Sequence, residues 1–89
     1  MQTTILKVKN DHGLHARPSA LIVERLLPFK SSVTFICDDK KADARSVLSL
    51  MMLIAPKDSE IEIIVNGEDE KDVLNTIVEL FDSKFIDAY

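Results

Sequence analysis

Two stretches of this chain, Val33-Thr34-Phe35-Ile36-Cys37 and Ile61-Glu62-Ile63-Ile64-Val65, place apolar side chains on every second residue. A period of two is the spacing of a strand with one buried face, so each stretch needs a sheet to join and a layer to cover it. Thr4 to Val8 show a similar near-alternation and break off at Asn10-Asp11-His12-Gly13. Beyond the turn-prone Asp38-Asp39-Lys40, Ala42 and Ala44 alternate weakly and complete a hairpin with 33–37.

Helical patterns supply the covering layer. From Ala16 onward, Ala20, Val23 and Leu27 recur at helical spacing, Pro18 falls in the first turn and Pro28 closes a run of about three turns. Ser46 stands as an N-cap before a short helical segment to about Leu53, and Pro56-Lys57-Asp58-Ser59 forms the next loop. After Asn66-Gly67, Val73, Ile77, Leu80 and Phe81 make the stripe of a final helix, with Asp69 and Glu70 at its positive end. The order βαββαβα, without repeat or linker, predicts one α+β domain over residues 1–89, with helices on one face of a four-stranded antiparallel sheet. One segment is overcrowded: Val47, Leu48, Leu50, Met51, Met52, Leu53 and Ile54 surround a short helix with apolar groups. Either the excess sinks into a groove of the core, or part of it is an exposed patch that waits for a partner.

Composition removes several function classes. An apolar share of 46% and a charged share of 29% suit a folded chain, and no apolar run approaches the roughly 18 residues of a membrane span. The start MQTTILKVKN has no long apolar segment of a secretory signal, so a cytoplasmic monomer away from membranes is expected. A net charge of −4 without a basic cluster argues against nucleic acid. Cys37 is the sole cysteine and reads as a small buried hydrophobe; no Cys/His cluster has metal-ligand spacing, and no cofactor is expected.

Chemistry concentrates at Gly13-Leu14-His15-Ala16-Arg17-Pro18. A helix N-terminus presents unpaired N–H groups and a positive dipole end to an anion. His15 stands at that end, where a neutral imidazole can attack phosphorus and the dipole disfavours imidazolium. Arg17 offers a guanidinium fork for phosphate oxygens. Together they describe a transient phosphohistidine site, although a histidine before a helix is often only a tolerated polar residue. No glycine-rich nucleotide loop, acidic metal pair or Ser/His/Asp constellation accompanies it, so another protein must supply the phosphoryl group. His12 reads as an ordinary solvated residue.

Through Asn10-x-x-Gly13-Leu14-His15-Ala16-Arg17-Pro18-Ser19-Ala20 the sequence resembles the HPr family of the bacterial phosphotransferase system. The likeness extends over essentially the whole chain, including Arg45-Ser46-Val47 and Gly67-Glu68-Asp69-Glu70. It implies an open-faced β-sandwich in which Nδ1 of His15 accepts phosphate from enzyme I, itself charged by phosphoenolpyruvate, and passes it to a IIA-type protein. Such a protein is a carrier and not an enzyme in its own right. By the same resemblance Ser46 aligns with a regulatory serine, which implies phosphorylation by an HPr kinase/phosphorylase. A regulatory binding module switched by Ser46 is the alternative function.

Two departures bear on the branch. Ser49 and Ile54 stand where sugar-transport members usually carry glycine, and Ser46-Val47-x-x-Leu50-Met51-Met52-Leu53 with Glu79-Leu80-Phe81-Asp82-Ser83-x-Phe85 looks more like the nitrogen-related branch, often called NPr. Helical spacing turns Leu50 and Leu53 inward and leaves Val47, Leu48 and Met51 partly exposed. The resemblance places that patch beside His15, where with Ala20 it would dock enzyme I and the IIA protein in turn. Arg17, with Lys40 or Arg45, would steer an acidic rim.

Overall fold

The computed structural model describes residues 1–86. Its elements are β1 (Gln2–Lys7), α1 (Ala16–Leu26), β2 (Ser32–Cys37), β3 (Lys40–Asp43), α2 (Val47–Met51), β4 (Glu60–Asn66) and α3 (Glu70–Asp82). The strands lie in the order β1-β4-β2-β3, every neighbouring pair antiparallel. This is the expected α+β arrangement, with the helices on one face.

Register follows the alternation. Val33 stands opposite Val65 and Phe35 opposite Ile63, while Phe35 meets Ala42 on its other side, so one face of the sheet is continuously apolar. The ring of Phe81 on α3 meets Phe35 edge-on at 6.0 Å and Phe85 at 5.0 Å, with all three buried. Each such side chain contributes roughly 1.5–3 kcal/mol through burial. Cys37 is also buried, which together with the charge of Asp38 pushes its thiol pKa up. The β2–β3 hairpin turns on Asp38-Asp39, with Asp38 at φ 55, a region aspartate tolerates.

The buried face of α1 is not the one read from the sequence. Ala20 and Leu27 are exposed and Val23 is half-buried, whereas Pro18, Ser19, Leu21, Ile22 and Leu26 face the core. The segment carries two apolar stripes at helical spacing, and the one with the larger aliphatic area is buried because hydrophobic stabilisation scales with area. The Ala16–Ala20 side is thereby left toward solvent. The short second helix also ends before Leu53. Leu53 N–H donates to Leu50 O and Ile54 N–H to Met51 O, each at 3.2 Å, a 3₁₀-type tightening that Ile54 completes at φ 49.

Two side chains hold the α1–β2 connection. The Asp69 carboxylate does not cap α3 but accepts from Lys30 N (2.8 Å), Ser31 N (3.0 Å) and the Ser31 hydroxyl. These bonds, the hydroxyl's first, hold its pKa below the usual carboxylate value. From the other side the Arg45 guanidinium donates to Leu26 O (3.1 Å), Phe29 O (2.6 Å) and Ser31 O (2.9 and 3.2 Å). The donors of Arg45 are therefore committed to backbone carbonyls at and beyond the end of α1, and its guanidinium contributes to any steering through its charge and not by reaching a partner.

Candidate functional site

The β1–α1 loop is built to hold its last residue in place. Asn10 is buried, its Nδ2 donates to Gly13 O at 2.6 Å, and Gly13 N–H returns to Asn10 O at 3.2 Å. Gly13 sits at φ 66, and a Cβ there would overlap Ala55 O; only glycine admits the approach. Leu14 N–H then donates to that same Ala55 O at 3.0 Å while its side chain is buried. These bonds tie the loop to the segment following α2.

His15 is the next residue and the N-cap of α1. Its backbone is extended (φ −83, ψ −167), its carbonyl accepts from Ser19 N–H at 3.1 Å, and its imidazole makes no side-chain cap bond. The ring therefore does not occupy the helix end. The N–H groups of Ala16 and Arg17 precede the first helical hydrogen bond, and Pro18 has none to give, so the anion-attracting donors sit immediately beside the imidazole. Arg17 is exposed, with no ion pair among the described residues. His12 is also exposed, as expected of a solvated residue, and it meets the His15 ring edge-on at 5.8 Å.

His15 and His12 open into a depression of about 310 Å³ walled by Leu14, Met51, Ile54 and the Ala55-Pro56 backbone turn. Among the described residues no group of three or more His, Cys, Asp or Glu is placed to hold a metal ion, and no helix is long and apolar enough to cross a membrane. A half-buried imidazole at an anion-favouring helix end, with an exposed cation two residues on, has the groups that binding a phosphate requires.

The family model described as "PTS HPr component phosphorylation site" matches residues 2–83. The chain belongs to the HPr family. Phosphocarrier protein HPr of Treponema pallidum is 38% identical over 85 residues, covering 96% of this chain and 97% of that one. Phosphocarrier protein NPr of Proteus mirabilis is 37% identical over 79 residues, covering 88% of each. The crystal structure of HPr-C-His from Thermoanaerobacter tengcongensis aligns with a TM-score of 0.90 at 34% identity, over 96% of each chain. Membership places it in the phosphocarrier family of the bacterial phosphotransferase system.

In this HPr-family chain α2 divides its apolar residues as helical spacing requires. Leu50 and Leu53 are buried, Val47 is half-buried, and Leu48 and Met51 are 69% and 40% exposed. Met52 and Ile54, which the spacing argument left unassigned, are exposed as well. The crowded segment is thus a partly exposed patch, and Met51 links it to the His15 depression. Ser46 caps α2 by accepting from Ser49 N–H at 3.2 Å, and Ser49 Oγ in turn accepts from Asp43 N–H at 3.0 Å. The sequence marked Ile54 as a departure and Arg45 as a candidate steering charge, but the exposure of the one and the carbonyl acceptors of the other need the three-dimensional path of the backbone.

Proposed function

We propose that His15 is the phosphoacceptor, taking a phosphoryl group from an enzyme I charged by phosphoenolpyruvate and passing it to a IIA-type protein. The observation that carries this reading is the His15 imidazole at the N-terminus of α1, outside the cap position, beside the first-turn N–H groups and two residues from Arg17. In the first transfer the N–P bond on the donor breaks as one forms to the His15 ring nitrogen, Nδ1 by the family pattern, and the departing imidazole takes up a proton; in the second the His15 N–P bond breaks as the phosphorus bonds to the acceptor, and His15 takes up the proton. Charge spreads over the three equatorial oxygens in the transition state. The Arg17 fork and the helix N–H groups stabilise that charge. The same groups, less strongly used in the ground state, leave the phosphoryl free to move on.

Residues 1–89 act here as a single carrier domain, a cytoplasmic monomer, within the nitrogen-related branch; the NPr relative and the Ser46–Leu53 run support that assignment. Ser46, as the cap of α2, is the regulatory position. Incubation with phosphoenolpyruvate and enzyme I should yield one acid-labile, base-stable phosphate per chain. Absence of that phosphate, with partner binding that instead responds to phosphorylation of Ser46, would move the reading to a regulatory module.

Arg17→Lys is expected to slow transfer about tenfold while the melting temperature stays within a few degrees, because a point charge replaces a bidentate fork on an exposed side chain. Rapid-quench kinetics with donor and acceptor check it; unchanged rates in both directions would exclude the role. The docking surface joins Ala20 on α1 to Val47, Leu48 and Met51 on α2. Leu48→Asp and Met51→Asp should each weaken transfer to both partners by about tenfold or more, since docking would strip water from the new carboxylate. Thermal denaturation should show little change, as both residues are exposed. Unfolded variants would mark these residues as core, and well-folded variants with normal transfer would move docking elsewhere.

A further inference from the structure

Two imidazoles share one depression where a single one accepts the phosphoryl group, and the transfer steps leave His12 without a task. Its place is fixed by the backbone. Asn10-Asp11-His12-Gly13 is a four-residue turn closed twice, by Gly13 N–H on Asn10 O and by Asn10 Nδ2 on Gly13 O. Gly13 is packed in turn against the Ala55 carbonyl, so the loop has little room to shift. The exposed His12 ring stands edge-on to His15 with 5.8 Å between centroids. It also lines a second cleft of about 420 Å³ together with Lys9, Ser83 and Lys84.

The other charges that face His12 are paired or permanent. On its own loop Asp11 meets Lys57 Nζ, from the loop before β4, at 3.2 Å, and Lys9 Nζ meets Asp82 Oδ1 at the end of α3 at 3.2 Å. Lys84 follows α3, and Arg17 lies in the first turn of α1. Lys57 first, then His12 and Lys84, hold the Asp11 pKa below the usual carboxylate value, which puts His12 within electrostatic reach of the loop's charges. Lysine, arginine and aspartate keep their charge across neutral pH, whereas histidine changes its own there. A phosphoryl group on His15 would bring about two negative charges to the neighbouring ring. We infer that His12 is an electrostatic positioning residue for the carrier: it takes up a proton from solvent when His15 is phosphorylated, and the imidazolium so formed holds the phosphoryl more tightly as pH falls. The proton returns to solvent when the acceptor takes the phosphoryl. This rests on the reading of His15 as phosphoacceptor. Proton and phosphoryl group favour each other reciprocally, so the added hold is present at low pH and is lost as pH rises past the titration of His12.

The test mixes the full chain with phosphorylated enzyme I and reads the equilibrium share of phosphate on each protein from about pH 6 to about pH 8.5. Wild type, His12→Gln, His12→Asn and His12→Lys are compared. The ratio of the wild-type to the glutamine equilibrium constant removes whatever titrates on enzyme I, on His15 or on the phosphate itself. It should be about tenfold at the acid end, from an added cation roughly 6 Å from the phosphate, and near unity at the alkaline end. The asparagine variant should follow glutamine. Lysine should keep the advantage of about tenfold at both ends, since its charge does not titrate there. Melting temperatures should agree within a few degrees, because the side chain is exposed. A ratio that stays flat across the range overturns the proposal, as does a lysine variant that follows glutamine at the alkaline end. Disagreement between the two neutral variants would assign the effect to shape and overturn it too. Failure of the wild-type chain to take phosphate on His15 is a different result, and it would remove the underlying reading instead.

Discussion

His15→Ala is expected to fold normally and to take up no acid-labile phosphate from phosphoenolpyruvate and enzyme I. The imidazole is half-buried, lies outside the core and makes no cap bond to α1, so its truncation removes neither core volume nor a helix cap. The melting temperature should therefore move by only a few degrees, while the rate of phosphate uptake falls below detection because the nucleophile is gone. His12 sharpens the experiment, since a second imidazole stands 5.8 Å away and shares the depression. His12→Ala should retain uptake. Full incorporation into the His15 variant, whether on His12 or elsewhere, would overturn the assignment.

The second large effect is on stability. Arg45→Ala deletes a guanidinium that makes four hydrogen bonds to three backbone carbonyls, those of Leu26, Phe29 and Ser31. Bonds to a charged donor contribute more than neutral ones, and carbonyls left in a partly buried turn lose their partner without regaining full hydration. A loss of about 3 kcal/mol is expected, or on the order of 15 °C in melting temperature for a domain of this size. Arg45→Lys should recover only a small part, because one ammonium cannot reach three carbonyls arranged around a planar fork. Phosphate uptake by the folded fraction should be unaffected. A variant as stable as the wild type would show that water replaces the guanidinium at little cost.

The contrast between these two residues shows what could be read from the chain and what could not. Strands were legible where one face is buried throughout: Val33, Phe35 and Cys37 face the same core as Ile61, Ile63 and Val65 because a period of two leaves no other choice. The position of His15 at a helix N-terminus was legible for a local reason as well, since the helix begins in the next residue. Helix α1 was legible as a helix but not in its orientation. Ala16, Ala20, Val23 and Leu27 share one apolar stripe, and Pro18, Ile22 and Leu26 share another; only the packed structure decides between them. Arg45 was unreadable because its three acceptors belong to residues 14 to 19 positions away. Ile54 was legible only as a departure, an isoleucine where the resemblance expects glycine; that the backbone there keeps a positive φ needed the structure, because the residue type argues against it.

The strand order leaves β1 and β3 at the two margins of the sheet, each with a row of backbone donors and acceptors that no neighbouring strand satisfies. A protein with an exposed apolar surface runs a hazard of self-association, and unpaired sheet margins offer a template for it. Both margins carry guards. β3 is only four residues long and starts with Lys40-Lys41, and β1 ends in Lys7, with the ammonium of Met1 at its other end paired to Glu70 at 2.8 Å. A strand arriving from another molecule would have to bury or displace positive charge at either margin. The weaker guard is the middle of β1, where Thr3 and Ile5 lie open between the two charges. That stretch is where a strand from a second molecule would meet least opposition in extending the sheet.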